Sequence, residues 1–267
     1  MLTRIAPVLG VIDVDAAVEY YCGTLGFECP YGSIGTAGEE QPVYAILGRA
    51  GTELHLQIRR REIWPSAGRD VVGRSAYFFV NDVERLQDEF VTRGANIIQQ
   101  ATVMPYGLRE MVVEDKDGHR ISFSQDLDYQ SENWEVAPVL GVRDVVEGVD
   151  WFRDVLGFDC PSGVYSVGEE EAPVYAILFR DQISIHLQIH RRAIFDNARE
   201  SFEGDTYLKF DYMPDNVECV DALHQELADR GAVIHRGLLN EEYGFRDFTV
   251  LTPMGHRLTF GMPLFQE

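Results

Sequence analysis

The sequence predicts an α+β chain made of two tandem copies of one domain, each copy holding two modules of strand, helix and three strands. Three observations carry that reading. The segment His55-Leu56-Gln57-Ile58 returns 131 positions later as His186-Leu187-Gln188-Ile189. The same offset joins APVLGV at 6–11 to 137–142, LGFECP at 25–30 to LGFDCP at 156–161, and PVYAIL at 42–47 to 173–178. About half the positions from Ile5 to Ile63 are identical at this spacing, which marks a duplication. Finally, within each copy, short apolar runs of period two alternate with two stretches of helical period.

The elements follow in order. An apolar strand near 6–12 runs into Asp13, a side chain suited to cap a helix, and Val18, Tyr21 and Leu25 then share one helical face that Gly26 closes. Strands are predicted near 27–35, 42–49 and 53–60. In the last of these, Glu53, His55 and Gln57 alternate with Leu54, Leu56 and Ile58, so one edge of the pattern is polar and the other apolar. AYFFV at 76–80 leads to Asp82, a second helix ends at Gly94, and strands are predicted near 97–101, 108–114 and 119–125. The second copy repeats this from Ala137 to Phe260, with DYQSENW at 128–134 as linker, which places domains at 1–127 and 135–267. Gly118 of KDGHRISF matches Gly255 of PMGHRLTF at an offset of 137, so the second copy carries a short insertion, expected near 196–206.

Composition narrows the function classes. The net charge is −21 and lysine occurs only at Lys116 and Lys209, which argues against nucleic acid and anionic membranes as partners and suits a cationic ligand or a basic protein. No apolar run approaches the roughly 18 residues of a membrane span, and the opening MLTRIAPVLGVIDVD lacks the apolar core and cleavage site of a leader, so a cytoplasmic location is expected. Cys22, Cys29, Cys160 and Cys219 show no CxxC spacing and read as reduced thiols; Cys29 and Cys160, each followed by Pro, read as small core residues rather than nucleophiles. Phosphate loops and a Ser-His-Asp constellation are missing.

VIDVDAAVEYYCGTLGF and VRDVVEGVDWFRDVLGF at the first strand and helix, with YGLREMVVEDKDGHRISF and YGFRDFTVLTPMGHRLTF at the last two strands, resemble the vicinal oxygen chelate superfamily of glyoxalase I, bleomycin-resistance proteins, fosfomycin-resistance enzymes and extradiol dioxygenases. The resemblance covers nearly the whole chain. It implies tandem glyoxalase/bleomycin-resistance-like domains whose βαβββ modules pair into a curved sheet around a cleft. It also implies a divalent metal held by His, Glu or Gln on four strands. The matching positions are Ala6 and Ala137, Glu53 and Ser184, Ala76 and Phe210, and Ser122 and Thr259, of which only Glu53 is a family-type ligand. No metal or other cofactor is therefore expected.

His55 and His186 fall two residues beyond Glu53 and Ser184, on the same strand face, and leave three uses open: a shifted metal site with Glu53, a satisfied structural histidine, or ligand recognition together with Gln57 and Gln188. Trp64, matched by Phe195, offers a ring at a cleft edge. Arg109 and Arg246 read as facing the cleft mouth and pairing with Glu110 and Asp247, or else as fixing a turn. His119 and His256 lie in turns and read as solvated, and Arg60, Arg61, Arg191 and Arg192 as solvated basic spots. The leading expectation is a metal-free protein of the bleomycin-resistance kind that sequesters an amphipathic or cationic small molecule. The alternatives are a metal-dependent lyase, isomerase or dioxygenase, and a scaffold or interaction protein with closed clefts. The two copies would form a pseudo-dimer within one chain, itself able to pair as a homodimer.

Overall fold

The computed structural model describes residues 1–35, 41–58, 74–129, 133–166, 172–189, 206–211 and 219–264. It divides into two compact units, Ala6–Ala137 and Pro138–Glu267 with Met1–Ile5. The chain is mixed α+β, two tandem halves with the repeated order the sequence predicts. In the first half β1 (Leu2–Val11), α1 (Val14–Gly23), β2 (Tyr44–Arg49) and β3 (Thr52–Ile58) precede β4 (Ala76–Phe79), α2 (Val83–Thr92), β5 (Ile97–Val103), β6 (Leu108–Glu114) and β7 (Arg120–Asp126). In the second, β8 (Glu135–Val142), α3 (Val145–Asp154), β9 (Val164–Tyr165), β10 (Tyr175–Arg180) and β11 (Ile183–Ile189) precede β12 (Thr206–Phe210), α4 (Cys219–Asp229), β13 (Val233–Asn240), β14 (Phe245–Leu251) and β15 (Arg257–Pro263).

Helix starts follow from their caps: the side chain of Asp13 accepts from Ala16 N, Asp82 from Arg85 N, and Asp144 from Val146 N and Glu147 N. Gly26 and Gly94, with φ of 67° and 76°, turn the chain out of α1 and α2 as only glycine does cheaply. The apolar faces meet in a core of rings. Phe123 of β7 stacks on Phe78 of β4 and meets Phe90 of α2 edge-on, each fully buried and worth about 1.5–3 kcal/mol. Tyr21 of α1, also fully buried, donates its hydroxyl to Asp115 Oδ2 at 2.8 Å. Arg49 holds the carbonyl of Leu25, pairs with Glu89 Oε2 at 2.8 Å and lies 4.9 Å from the Trp134 ring. Arg180 repeats the arrangement with Leu156 and Glu226.

The register sets which side chains share a face. β3 runs antiparallel to β2 and parallel to β1, with Val8 beside His55; β11 lies in the same way against β10 and β8, with Val139 beside His186. Leu187 points at α3, where a Cβ on Gly148 would approach it to 3.0 Å, so His186 points to the opposite sheet face. β4 lies parallel to β7, pairing Tyr77 with Ser122, and β12 lies parallel to β15, pairing Tyr207 with Thr259.

Two expectations are corrected. The strand predicted near 27–35 is reduced to bridges at Glu28 and Ile34, because Pro30 has no N–H to give and Gly32, at φ 64°, turns the chain. Tyr207 occupies the register place of Tyr77, so the offset at β12 is 130, one less than the 131 of the earlier strands, and the insertion lies beyond Phe210 rather than near 196–206. Among the described residues no helix is long and apolar enough to cross a membrane.

Candidate functional site

His55 is 2% exposed and both its ring nitrogens are engaged: Nδ1 lies 2.6 Å from the Tyr44 hydroxyl and Nε2 lies 3.2 Å from Glu53 Oε2. A carboxylate only accepts, so the network assigns the proton to Nε2, and in the neutral ring Nδ1 then accepts from the Tyr44 O–H. Gln57, half-buried, sits opposite Tyr44 on β2, which gathers Glu53, His55, Gln57 and Tyr44 on one patch. The second copy repeats the pair, with Tyr175 Oη 2.5 Å from His186 Nδ1 and Gln188 opposite Tyr175. There Ser184 replaces the carboxylate, and burial lowers the His186 pKa to about 3, so that imidazole is neutral at physiological pH.

The register also moves the positions at which the resemblance places metal ligands. In each of the first three modules the first-strand residue of the pair stands five before the capping aspartate: Val8 before Asp13, Tyr77 before Asp82 and Val139 before Asp144. The last-strand counterparts of Ser122 and Thr259 are therefore His55 and His186, not Glu53 and Ser184. Ala76, paired with Ile121, and Phe210 are buried on the helix side, and the residues that share a face with Ser122 and Thr259 are Tyr77 and Tyr207. Aliphatic, phenolic and hydroxyl side chains stand where carboxylates and imidazoles are needed, and both histidines already spend Nδ1 on a tyrosine. This donor set does not fit the divalent cation of that superfamily. Among the described residues no three His, Cys, Asp or Glu cluster in a metal-holding arrangement.

The sequence pattern of the Glyoxalase/Bleomycin resistance protein/Dioxygenase superfamily matches residues 3–123 and again 136–260. The chain belongs to this superfamily. Glyoxalase I from Zea mays shares its fold at 16% identity and a TM-score of 0.61, over 98% of this chain and 92% of that one. A putative dioxygenase from Bacillus subtilis does so at 11% identity and a TM-score of 0.63, over 98% and 84%. No curated protein matches.

The remaining candidates of this superfamily member fall elsewhere. Arg109 and Arg246 do not join the histidine patches, because strand alternation turns them to the helix side. Arg109 pairs with Glu84 of α2 at 2.9 Å, and Arg246 grips Asp221 of α4 through Nε and Nη2 at 2.9 and 2.5 Å, so neither pairs with Glu110 or Asp247. His119 and His256 are not solvated turn residues: Nε2 of His119 lies 2.9 Å from the Gly10 carbonyl and Nε2 of His256 lies 2.7 Å from that of Gly141, latching each last hairpin to a first strand. Cys29 and Cys160 are half-buried rather than core, and burial raises both thiols. Trp64, Phe195, Arg60, Arg61, Arg191 and Arg192 lie outside the described residues.

Sequence reasoning missed the tyrosine partners, although PVYAIL, repeated in both copies, carries them as Tyr44 and Tyr175. It named Glu110 on β6 and Asp247 on β14 only as partners of Arg109 and Arg246, and missed that they lie buried on the sheet faces turned away from the helices, 1% and 0% exposed. Asp247 accepts from Tyr207, Tyr243 and Arg236, whereas among the described residues neither oxygen of Glu110 has a well-formed hydrogen bond.

Proposed function

We propose that this protein binds a small organic molecule without a metal and without changing it, as a sequestering member of the superfamily. The observation that carries the reading is the capped histidine: His55 and His186 stand at the last-strand ligand position, and each has Nδ1 bound to a tyrosine hydroxyl. Their first-strand companions, Val8 and Val139, have nothing to give a cation. What these faces offer a ligand is a mixed wall of imidazole, amide and phenol, the composition of a recognition surface.

A second reading, a metal-dependent lyase, isomerase or dioxygenase, draws on one observation, the pairing of Glu53 with His55 at 3.2 Å in the first copy. The deciding experiment is metal content by plasma mass spectrometry on chelator-free, tag-free protein, with titration of Zn²⁺, Ni²⁺, Mn²⁺ and Fe²⁺ into wild type and His55→Ala. Sequestration is supported if neither protein retains or takes up metal stoichiometrically. Near-stoichiometric metal that disappears in His55→Ala would refute it in favour of the metalloenzyme.

A further inference from the structure

The two halves differ at one buried carboxylate, and the difference has the form of a missing guanidinium. In the second unit the buried Asp247 accepts from Tyr207 Oη at 2.5 Å, Tyr243 Oη at 2.6 Å and Arg236 Nη2 at 2.5 Å. Its counterpart in the first unit is Glu110, since Asp247 faces Gly261 across its strand pair as Glu110 faces Ser124. By the same register Arg236, beside Thr249, corresponds to Gln99, beside Val112. Tyr243 corresponds to Tyr106 at the matching distance before the strand.

Two substitutions deprive Glu110 of the donors that Arg236 and Tyr207 give Asp247. Gln99 is short and neutral, and its Nε2 is directed to the backbone carbonyl of Glu110 at 3.3 Å rather than to the carboxylate. Ser124 carries a Cβ where Gly261 has none. A Cβ on Gly261 would stand 2.6 Å from Tyr207 Oη, so the path by which Tyr207 reaches Asp247 is closed to Tyr77. Arg74, the nearby cation, is turned onto Ser122 Oγ at 2.8 Å and Gln99 Oε1 at 3.5 Å. Glu110 is left 1% exposed with no cation bonded to either oxygen among the described residues and only the hydroxyls of Tyr106 and Ser124 beside it, an arrangement that disfavours its ionised form. Burial accordingly raises its pKa, while Tyr106, Arg74 and Ser124 pull it back.

We propose that Glu110 anchors the cationic head of a small organic ligand, a guanidinium or primary ammonium, which takes in the first unit the place the Arg236 guanidinium takes in the second. The assignment rests on the metal-free binding reading and names its ligand class. A guanidinium brings the two parallel N–H groups a carboxylate accepts best, and a chain of net charge −21 attracts such a cation from solution. Tyr106, whose hydroxyl is beside the Glu110 carboxyl, would have to swing aside to admit it; the residue is 59% exposed and precedes Gly107, whose φ is 86°.

The test is calorimetric titration of the full chain with methylguanidinium, ethylammonium and tetramethylammonium at 150 mM salt, on wild type, Glu110→Gln and Gln99→Arg. The expected result is saturable binding of the two N–H-bearing cations to wild type, at least tenfold weaker in Glu110→Gln and lost in Gln99→Arg, which supplies its own guanidinium and melts no lower than wild type. Equal binding to wild type and Glu110→Gln, no binding to wild type, or tetramethylammonium binding as well as methylguanidinium would each overturn the assignment. Neutral aromatic ligands that bind wild type and Glu110→Gln alike would overturn the cation while leaving sequestration standing. Stoichiometric metal dependent on His55 would instead remove the sequestration reading itself.

Discussion

Acid should destabilise the second half of this protein through His186. The ring is 2% exposed, its Nδ1 accepts from Tyr175, and burial brings its pKa from the ordinary 6.5 to about 3. A depressed folded value means that the unfolded chain takes up a proton the fold refuses. The stability contributed by neutral His186 is thus fully present above pH 6.5 and is lost as pH falls toward 3. Each pH unit inside that window removes at most about 1.4 kcal/mol, and the step from pH 7 to pH 4.5 removes about 2–3 kcal/mol, on the order of a sixth to a half of a typical domain's stability. His186→Asn keeps an acceptor near Nδ1 but does not titrate. Urea unfolding followed by the fluorescence of Trp151, on α3 of the same unit, should show the variant less stable at pH 7, with the gap closing by about 2–3 kcal/mol at pH 4.5. Parallel stability profiles for the two proteins would refute the buried neutral imidazole.

Three further outcomes are expected. Glu110 has a raised folded pKa, so the stability it contributes is present below the unfolded value and lost as pH rises; Glu110→Gln should therefore unfold at higher urea than wild type at pH 7 and at equal urea near pH 4. His256→Ala leaves the Gly141 carbonyl without its donor and should cost about 1–3 kcal/mol in equilibrium unfolding. Arg246→Ala breaks a two-bonded pair with Asp221 and should cost about 1 kcal/mol, more than Arg109→Ala, whose partner Glu84 is largely exposed, and neither change should alter ligand affinity in calorimetry.

The fold was legible because its signals are local. Asp13, Asp82 and Asp144 start helices through bonds two or three residues away, and the alternation of Glu53, His55 and Gln57 with Leu54 and Leu56 needs only the period of a strand. The site was less legible because register decides it. Whether His55 or Glu53 corresponds to Ser122 depends on which residue of β1 lies alongside, and a slip of two along a strand leaves the face pattern unchanged. The Tyr44–His55 bond, the His256 latch and the contrast between Glu110 and Asp247 likewise join residues on different elements. Arg109 misled for the converse reason: its neighbour in sequence is Glu110, but adjacent strand residues face opposite ways, and the partner it meets is Glu84.

The histidine latches also have a meaning in time. Gly10 and His119 are separated by 109 positions, and Gly141 and His256 by 115. On a ribosome adding about 5–20 residues per second, the Gly10 carbonyl waits roughly 5–20 s before the imidazole that satisfies it has been synthesised. Through that interval water stands in for the imidazole at that carbonyl. A nascent first copy therefore gains this latch only when its last hairpin emerges, and the second copy begins a wait of similar length after it.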